Sequence, residues 1–281
     1  MRRKPHRLSL GAEEGSGSTI DFSAHMSAMT ITAPAPRDQT TMVMKGLERQ
    51  YRTVLPANSY SVIRVDGKGF SKYTRNLQRP FDPKFTEDMT ATALYLCENI
   101  DGAQFAYTQS DEISVVISDL TGANTQAWFG GQVQKIVSTS AALATAKFNR
   151  LRPEVEALAL FDGRTHHLVG PGGVLEYVRW RQADAMKNSV GMLASNHFSH
   201  RELTGVSVRD RKDMLAAIGV HWGELDQAVR QGTFVQRVLA ERTVSYFHTK
   251  EQVTKTLDVR RREWTPVPAP YFDTVGSLGL A

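Results

Sequence analysis

Two carboxylates stand at positions where this chain could do chemistry. Asp66 directly follows the apolar run Ser59–Val65, and Asp111 lies in the short polar stretch between two further apolar runs. Carboxylate oxygens suit Mg²⁺, which binds a few of them and takes water and substrate phosphates as its other ligands. Two such ions could activate an attacking hydroxyl and stabilise a leaving pyrophosphate.

A glycine-containing loop comes immediately after the first carboxylate, with the residues Gly67, Lys68, Gly69, Phe70 and Ser71. Glycines after a strand allow consecutive backbone N–H groups to point at an anion, and the lysine adds positive charge. The spacing matches neither the Walker A loop nor the dinucleotide-binding fingerprint. Because an Asp-Gly pair after a strand is also commonly a plain turn, the loop by itself indicates a phosphate site only weakly.

Apolar patterning predicts the elements that must position these residues. Ser59–Val65 is rich in β-branched residues and predicts a buried strand. Asp82 is a helix N-cap with a proline after it, and the helix that it opens ends near Asn99. Gln104–Gln109 and Ile113–Ser118 are separated by three polar residues and predict a β-hairpin.

A second long helix and a last strand complete the predicted sheet. Residues 125–150 form the helix, with Gly130 and Gly131 inside it at some cost in stability. Residues 157–162 form the strand, and its continuation over 164–168 is left open. The order strand, helix, strand, strand, helix, strand is the ferredoxin-like split βαβ arrangement, an α+β fold with an antiparallel sheet and both helices on one face.

This topology makes the first strand and the hairpin neighbours in the sheet. Antiparallel pairing would then bring Asp66 and Asp111 to the same edge, close enough to share divalent cations. Glu112 follows Asp111, and adjacent residues of a strand face opposite ways. The two carboxylates therefore point at one site only where the turn is irregular.

The segments on either side of the sheet differ from it in composition. Residues 1–41 carry few large apolar side chains and predict a disordered tail, and the sheet domain is predicted over 42–168. Residues 169–281 are predicted to be mostly helical. Within them, 234–249 either return to the sheet or pack beside it, and the end from Pro266 is predicted to be extended and weakly ordered.

Composition excludes several classes of protein. The chain has 281 residues, a net charge of +5 and 41% hydrophobic residues, which is typical of a globular protein and permits a polyanionic partner. Its one cysteine, Cys97, excludes an internal disulfide and a cysteine-based zinc site, and it predicts a reducing compartment, the cytoplasm. No apolar run approaches the roughly 18 residues that span a bilayer, which argues against a membrane protein.

Four motifs, in this order, resemble those of the tRNA-His guanylyltransferases and the related 3′-to-5′ polymerases. They are Asp66–Tyr73, Tyr107–Glu112, Phe161–Arg164 and Trp180–Asp184, and the resemblance extends from about Lys45 to Arg237. The resemblance implies a polymerase-like palm, which agrees with the topology inferred from the apolar pattern.

The resemblance also implies roles for individual residues. Asp66 and Asp111 would bind two Mg²⁺ ions together with the Gly67 carbonyl, and Glu112 matches an acidic residue of the family's site. A nucleoside triphosphate would be held by Ser110 and by the loop residues Lys68, Gly69, Phe70 and Ser71.

The activity that the resemblance implies is addition of a guanylate from GTP to the 5′ end of tRNA-His, after ATP has activated the 5′ phosphate, by a homotetramer. One motif departs from the family's pattern. Eukaryotic members carry His-Ile-Asn-Asn where this chain has Met186, Lys187, Asn188 and Ser189, and Met186 alone is typical of a core residue. The departure leaves open templated repair of 5′-truncated tRNA.

Two further interpretations come from other classes, a catalytically idle RNA-binding palm protein and a nucleotide cyclase. A binding module has no need to hold two repelling carboxylates together, so Asp66 and Asp111 favour an enzyme. The long helical part that carries Trp180–Asp184 argues against a cyclase.

Overall fold

Six β-strands form the frame of the computed structural model, which describes residues 37–120 and 125–280. They are β1 Tyr60–Gly67, β2 Ala103–Gln109, β3 Glu112–Ser118, β4 Phe161–Leu168, β5 Thr233–His248 and β6 Val253–Pro268. The strands lie side by side in the order β4-β1-β3-β2-β5-β6, and every neighbouring pair is antiparallel. The first four strands therefore have the predicted split βαβ order.

The helices are α1 Arg37–Gln50, α2 Phe70–Tyr73, α3 Pro83–Asn99, α4 Val133–Leu151, α5 Gly170–His197, α6 His200–Leu203, α7 Val208–Ala217 and α8 Gln227–Gln231. As predicted, the Asp82 carboxylate caps α3, accepting a hydrogen bond of 2.7 Å from the Phe85 N–H. The predicted tail lies largely outside the described residues, but its residues 37–41 begin α1.

Both faces of the sheet are covered by helices. On one face, Ile63 and Val65 of β1 are buried in a core with the side chains of α3 and α4, as predicted. On the other face, Tyr60 and Val62 are buried with Val174 of α5. Alternate residues of β1 thus face two different cores, which accounts for the continuous apolar run in its sequence.

Two predicted boundaries, the start of α4 and the start of the last strand of the split βαβ unit, are wrong. α4 begins at Val133, because Gly130 and Gly131 have φ angles of 59° and 73°, which a helix excludes. The last strand of the split βαβ unit is the single run Phe161–Leu168, without residues 157–160.

Among the described residues, the C-terminal region has no α-helix after Gln231 and only a 3₁₀ turn over Val275–Leu278, which corrects the prediction for residues 169–281. β5 pairs with β2 only through Thr233–Val235, and the remainder of β5 and β6 extends beyond the sheet as a two-stranded ribbon. The end of the chain is not weakly packed, since Phe272 and Leu278 are buried against the α5 face. The domain boundary predicted after residue 168 stays a prediction.

Gly163 of β4 tests how closely the sheet and α4 pack. A Cβ at this position would lie 2.6 Å from the Val137 carbonyl oxygen of α4. We expect Gly163→Ala to lower the free energy of unfolding by about 1–3 kcal/mol, because the backbone of one element must move. Gly172→Ala is the matched control, since no atom lies within 4 Å of a Cβ there. Equal urea midpoints for the two variants would contradict this packing.

Candidate active site

The end of β1 meets the β2–β3 turn at one edge of the sheet. The Gly67 N–H donates a hydrogen bond of 3.1 Å to the Asp111 carbonyl oxygen, and Asp66 lies directly opposite Glu112 in the register of β1 and β3. Burial raises the pKa of the Asp111 carboxyl, and the nearby charge of Asp66 raises it further. The structure thus brings the two predicted carboxylates, Asp66 and Asp111, together.

The β2–β3 turn has the irregular backbone that the sequence argument required. Ser110 has a φ of 49°, and its hydroxyl donates a hydrogen bond of 3.1 Å to Asp111 Oδ1. Asp111 therefore belongs to the turn, whereas Glu112 is the first residue of β3. The charge of Asp66 raises the pKa of both carboxyls, so Asp111 and Glu112 both lie near Asp66 at this edge.

Glu112 is tied to the long helix on its face of the sheet. Its Oε1 accepts a hydrogen bond of 2.7 Å from Arg181 Nε, and its Oε2 accepts one of 2.6 Å from Arg181 Nη2. Both side chains are buried, each with 6% of its surface exposed. Burial raises the pKa of Glu112, while the Arg181 guanidinium acts in the opposite direction. Both carboxylate oxygens are thus occupied by one arginine.

A second arginine approaches the other carboxylate. Arg164 Nη2 lies 3.7 Å from Asp66 Oδ2 and 2.9 Å from Asp162 Oδ1. Asp162 is the residue opposite Asp66 in β4. Asp66 and Asp162 therefore share one exposed guanidinium, that of Arg164, at this edge of the sheet.

Some residues of the glycine-containing loop are exposed, where a ligand could reach them, and one is buried in the core. Lys68 and Ser71 are exposed, and Gly69, with a φ of 68°, precedes α2. Phe70 is 3% exposed and packs among aromatic rings, and it also lines a cavity beside Asp111, so its contact with a nucleotide stays a prediction. A Cβ at Gly67 would collide with the Phe70 ring, so this close approach requires glycine.

Two cavities open beside the β2–β3 turn. One has a volume of about 310 Å³ and is lined by Ser71, Ser110 and Asp111 among others. The other has a volume of about 900 Å³, shares Ser110 with the first, and carries the basic side chains Arg79, Lys187 and Arg211. None of the described residues that line this larger cavity, which we call the basic cleft, is acidic.

One residue of the basic cleft was not predicted from the sequence. Arg79 lies in an irregular segment, whereas Arg211 belongs to α7, within the basic stretch after Gly205 that resembles a later block of the family. The Arg211 guanidinium is fixed by hydrogen bonds of 3.2 Å and 3.1 Å to the carbonyl oxygens of Val206 and Leu203. No local pattern identifies Arg79 as a cleft residue, because the cleft is assembled from segments far apart in the chain.

The segment that departs from the family's pattern lies on α5, at the wall of the same cleft. Lys187 and Asn188 line the cleft, whereas Ser189 is buried. The Ser189 hydroxyl accepts a hydrogen bond of 3.0 Å from Trp222 Nε1 and donates one of 2.9 Å to the Met186 carbonyl oxygen. Met186 is half-buried and is not part of the buried core clusters.

Comparisons with known proteins agree with this arrangement. The family model described as "Thg1: tRNAHis guanylyltransferase" matches residues 41–169. A solved bacterial tRNA(His) guanylyltransferase (Thg1)-like protein in complex with GTP is 32% identical, with a TM-score of 0.71 and coverage of 86% of this chain and 99% of that one. The chain belongs to the tRNA(His) guanylyltransferase family. The predicted family and palm-like fold are thereby confirmed, and the chain is an enzyme, a nucleotidyltransferase.

Two other guanylyltransferase relatives span less of this chain. A bacterial Thg1-like protein solved in complex with ATP is 39% identical, with a TM-score of 0.69 and coverage of 70% of this chain and 88% of that one. A probable tRNA(His) guanylyltransferase of Drosophila melanogaster is 28% identical over 200 residues, which are 66% of this chain and 69% of the relative. In the described part of this guanylyltransferase-family chain, no helix is long and apolar enough to cross a bilayer.

The raised pKa of Asp111 predicts a pH-dependent effect on stability in the absence of divalent cations. The folded protein disfavours the ionised carboxylate, so the penalty is absent below the unfolded carboxyl pKa of about 3.9 and complete above the raised folded pKa. We expect Asp111→Asn to unfold at a higher temperature than the parent at pH 7 in EDTA, and the difference to shrink toward pH 4.

Scanning calorimetry across this pH range measures the effect. Asp101→Asn is the control, because Asp101 is an exposed carboxylate at the opposite end of β2. A gain in unfolding temperature for Asp111→Asn that is the same at every pH, or equal to that of the control, would contradict the prediction.

Proposed function

We propose that this protein adds GMP from GTP to the 5′ end of tRNA-His, after ATP activates the 5′ phosphate, in a Mg²⁺-dependent reaction. ATP would first transfer AMP to the 5′ phosphate and release pyrophosphate. The 3′-hydroxyl of GTP would then attack the activated phosphorus and release AMP. Hydrolytic loss of pyrophosphate from the new 5′ triphosphate would leave GMP as the added residue. The observation that carries the proposal is the meeting of Asp66 and Asp111 beside the Lys68 loop and the basic cleft.

The residues at the sheet edge fit Mg²⁺. Asp66 and Asp111 supply hard oxygen atoms, and the charge of one raises the pKa of the other, a repulsion that a cation would relieve. The described residues hold no cluster of three or more His, Cys, Asp or Glu side chains placed to bind a metal. That small donor set suits Mg²⁺, which keeps waters and binds substrate phosphates.

Asp66, Asp111 and the Gly67 carbonyl would hold the ions, as the family resemblance implies. Bound Mg²⁺ would activate the attacking hydroxyl and neutralise charge on the leaving group. The Lys68 ammonium is exposed at the same edge and would attract the triphosphate. The exposed Ser71 hydroxyl would donate a hydrogen bond to it, and the Ser110 hydroxyl would do so on leaving Asp111 Oδ1, its acceptor in this structure.

The basic cleft supports a polyanionic second substrate. Arg79, Lys187 and Arg211 leave its lining positively charged, and it joins the nucleotide site at Ser110. Phosphate groups of a nucleic acid bind such surfaces through charge and hydrogen bonds without base readout. We therefore propose that the 5′ end of the tRNA lies in the basic cleft.

Removal of either carboxylate tests the proposed chemistry. We expect Asp66→Ala and Asp111→Ala to lower the rate of labelled GMP transfer to tRNA by at least roughly a hundredfold, because bound metal supplies several kcal/mol of transition-state stabilisation. Asp101→Ala, an exposed carboxylate distant from the site, should retain the parent rate. Circular dichroism confirms folding of each variant, and a folded variant with a near-parent rate would refute the assignment.

A second candidate function, templated repair of 5′-truncated tRNA, is favoured by the segment that departs from the family's pattern. Met186 cannot donate a hydrogen bond or accept a proton at neutral pH, and the Ser189 hydroxyl is already bonded to Trp222 and to the Met186 carbonyl. Neither side chain is free to orient an incoming nucleotide. Base pairing with a template would supply that orientation.

We expect addition opposite a pairing template base to be faster than addition opposite a non-pairing one. The measurement compares two tRNAs that differ only at the opposing base, with labelled GTP and the full chain. Because each added base-pair contact contributes on the order of 1 kcal/mol, a preference of about fivefold or more is expected. Equal rates, or a preference for the non-pairing tRNA-His, would favour the untemplated reaction.

We also propose, from the resemblance, that the chain is a cytoplasmic homotetramer. The free cysteine Cys97 supports a reducing compartment. The β5–β6 ribbon exposes Leu239, Phe247 and Leu257, and a two-stranded ribbon alone is marginally stable in water. Contact between copies would bury these apolar side chains.

A further inference from the structure

The Glu112–Arg181 ion pair joins the catalytic edge of the sheet to α5. Glu112 follows Asp111 directly and shares its face of the sheet with Asp66, its partner in the β1–β3 register. Arg181 binds it through two nitrogens at 2.7 Å and 2.6 Å, in the parallel geometry that fixes both groups in direction as well as distance. The guanidinium also lies 4.4 Å from the centre of the Trp180 ring. The pair therefore restricts movement of Glu112, the first residue of β3.

Arg181 also links Glu112, through hydrogen bonds along α5, to a residue that lines the basic cleft. Its Nη2 also donates to Asp184 Oδ2 at 3.0 Å, and that oxygen accepts a hydrogen bond of 3.3 Å from Asn188 Nδ2. Asn188 lines the cleft in which Ser110 also lies. A continuous chain of contacts thus runs from Glu112 through Arg181 and Asp184 to Asn188, and it begins and ends beside the β2–β3 turn.

We infer that Glu112 and Arg181 act as one positioning unit that holds the Asp111 turn at a fixed distance from the cleft wall of α5. Glu112 acts on the turn through its ion pair with Arg181, because Arg181 donates hydrogen bonds to both of its carboxylate oxygens. Arg64 is a weaker partner of Glu112 than Arg181 is, because its Nη1 lies 4.0 Å from Glu112 Oε2. The inference rests on the proposed function in one respect, the role of Asp111 in this turn as a ligand of the metal ion.

A second buried ion pair provides a matched control. Arg152 Nε donates to Asp88 Oδ2 at 2.7 Å, and the two residues are 5% and 1% exposed. This pair joins α3 to the end of α4 on the opposite face of the sheet, and neither residue lines the two cavities of the site. Each pair has one further charged neighbour, Lys84 beside Asp88 and Asp184 beside Arg181, so breaking either pair should lower stability to a similar extent.

The experiment compares Glu112→Gln, Arg181→Lys and their double variant with Asp88→Asn and Arg152→Lys, all as full chains. Direct Mn²⁺ binding, followed by electron paramagnetic resonance, is measured beside GMP transfer to tRNA and thermal unfolding. We expect Glu112→Gln and Arg181→Lys each to weaken Mn²⁺ binding and to lower kcat by about tenfold or more, with a smaller change in KM for GTP. The double variant should lose no more than either single variant, as residues acting as a unit do.

The control variants should unfold at lower temperature yet keep Mn²⁺ binding and kcat within about threefold of the parent. Arg181→Lys retains the charge and tests the pair even where Glu112→Gln does not fold. Losses in Glu112→Gln without losses in Arg181→Lys, or additive losses in the double variant, would overturn the inference. So would equal effects in the control pair. A parent protein that binds Mn²⁺ but transfers no GMP would refute the proposed function alone.

Discussion

The antiparallel register between β1 and β3 is the constraint on which the rest of the site depends. It sets Asp66 opposite Glu112 and brings the Gly67 N–H within 3.1 Å of the Asp111 carbonyl oxygen. A slip of one residue would turn every side chain of β1 to the other face. Ile63 and Val65 would then leave their core, so burial of the strand fixes the position of the carboxylate at its end.

The polar end of the α5 face follows from the same register. The face that buries Tyr60 and Val62 continues past Arg64 to Asp66, and so it changes from apolar to charged along a single strand. Charged groups at such a boundary must be paired to be stable, and Glu112 meets this condition through Arg181. The apolar part of the face holds α5 on the sheet, and the charged part determines where its cleft wall lies.

The two carboxylates and the basic side chains of the cleft lie on elements that differ in rigidity, as the proposed function would require. Asp66 and Asp111 stand on strand ends and a hydrogen-bonded turn, where neighbouring backbone fixes them. The basic residues of the cleft come from an irregular segment and from α5 and α7, and only Arg211 is anchored by backbone carbonyls. Rigid carboxylates suit chemistry on a small metal-bound group, whereas long basic side chains suit a flexible polyanion.

The sequence by itself determined the features that depend on neighbours in the chain. The Asp82 cap and the strands of the split βαβ unit arise from local capping and apolar periodicity, and their order predicted the edge where Asp66 and Asp111 meet. The glycine pair before α4 was misjudged, because only the packed structure gives those residues a positive φ. Propensity alone allowed a helix to run through them.

Only the tertiary structure decided which groups meet from distant parts of the chain. Glu112 and Arg181 are 69 positions apart, and no spacing rule links them. The same is true of β5, whose pairing with β2 turned a predicted helical region partly into sheet, and of Arg211 in the cleft. Such contacts form because several segments compete to cover the same apolar surface, and the outcome depends on shape and burial across the whole core.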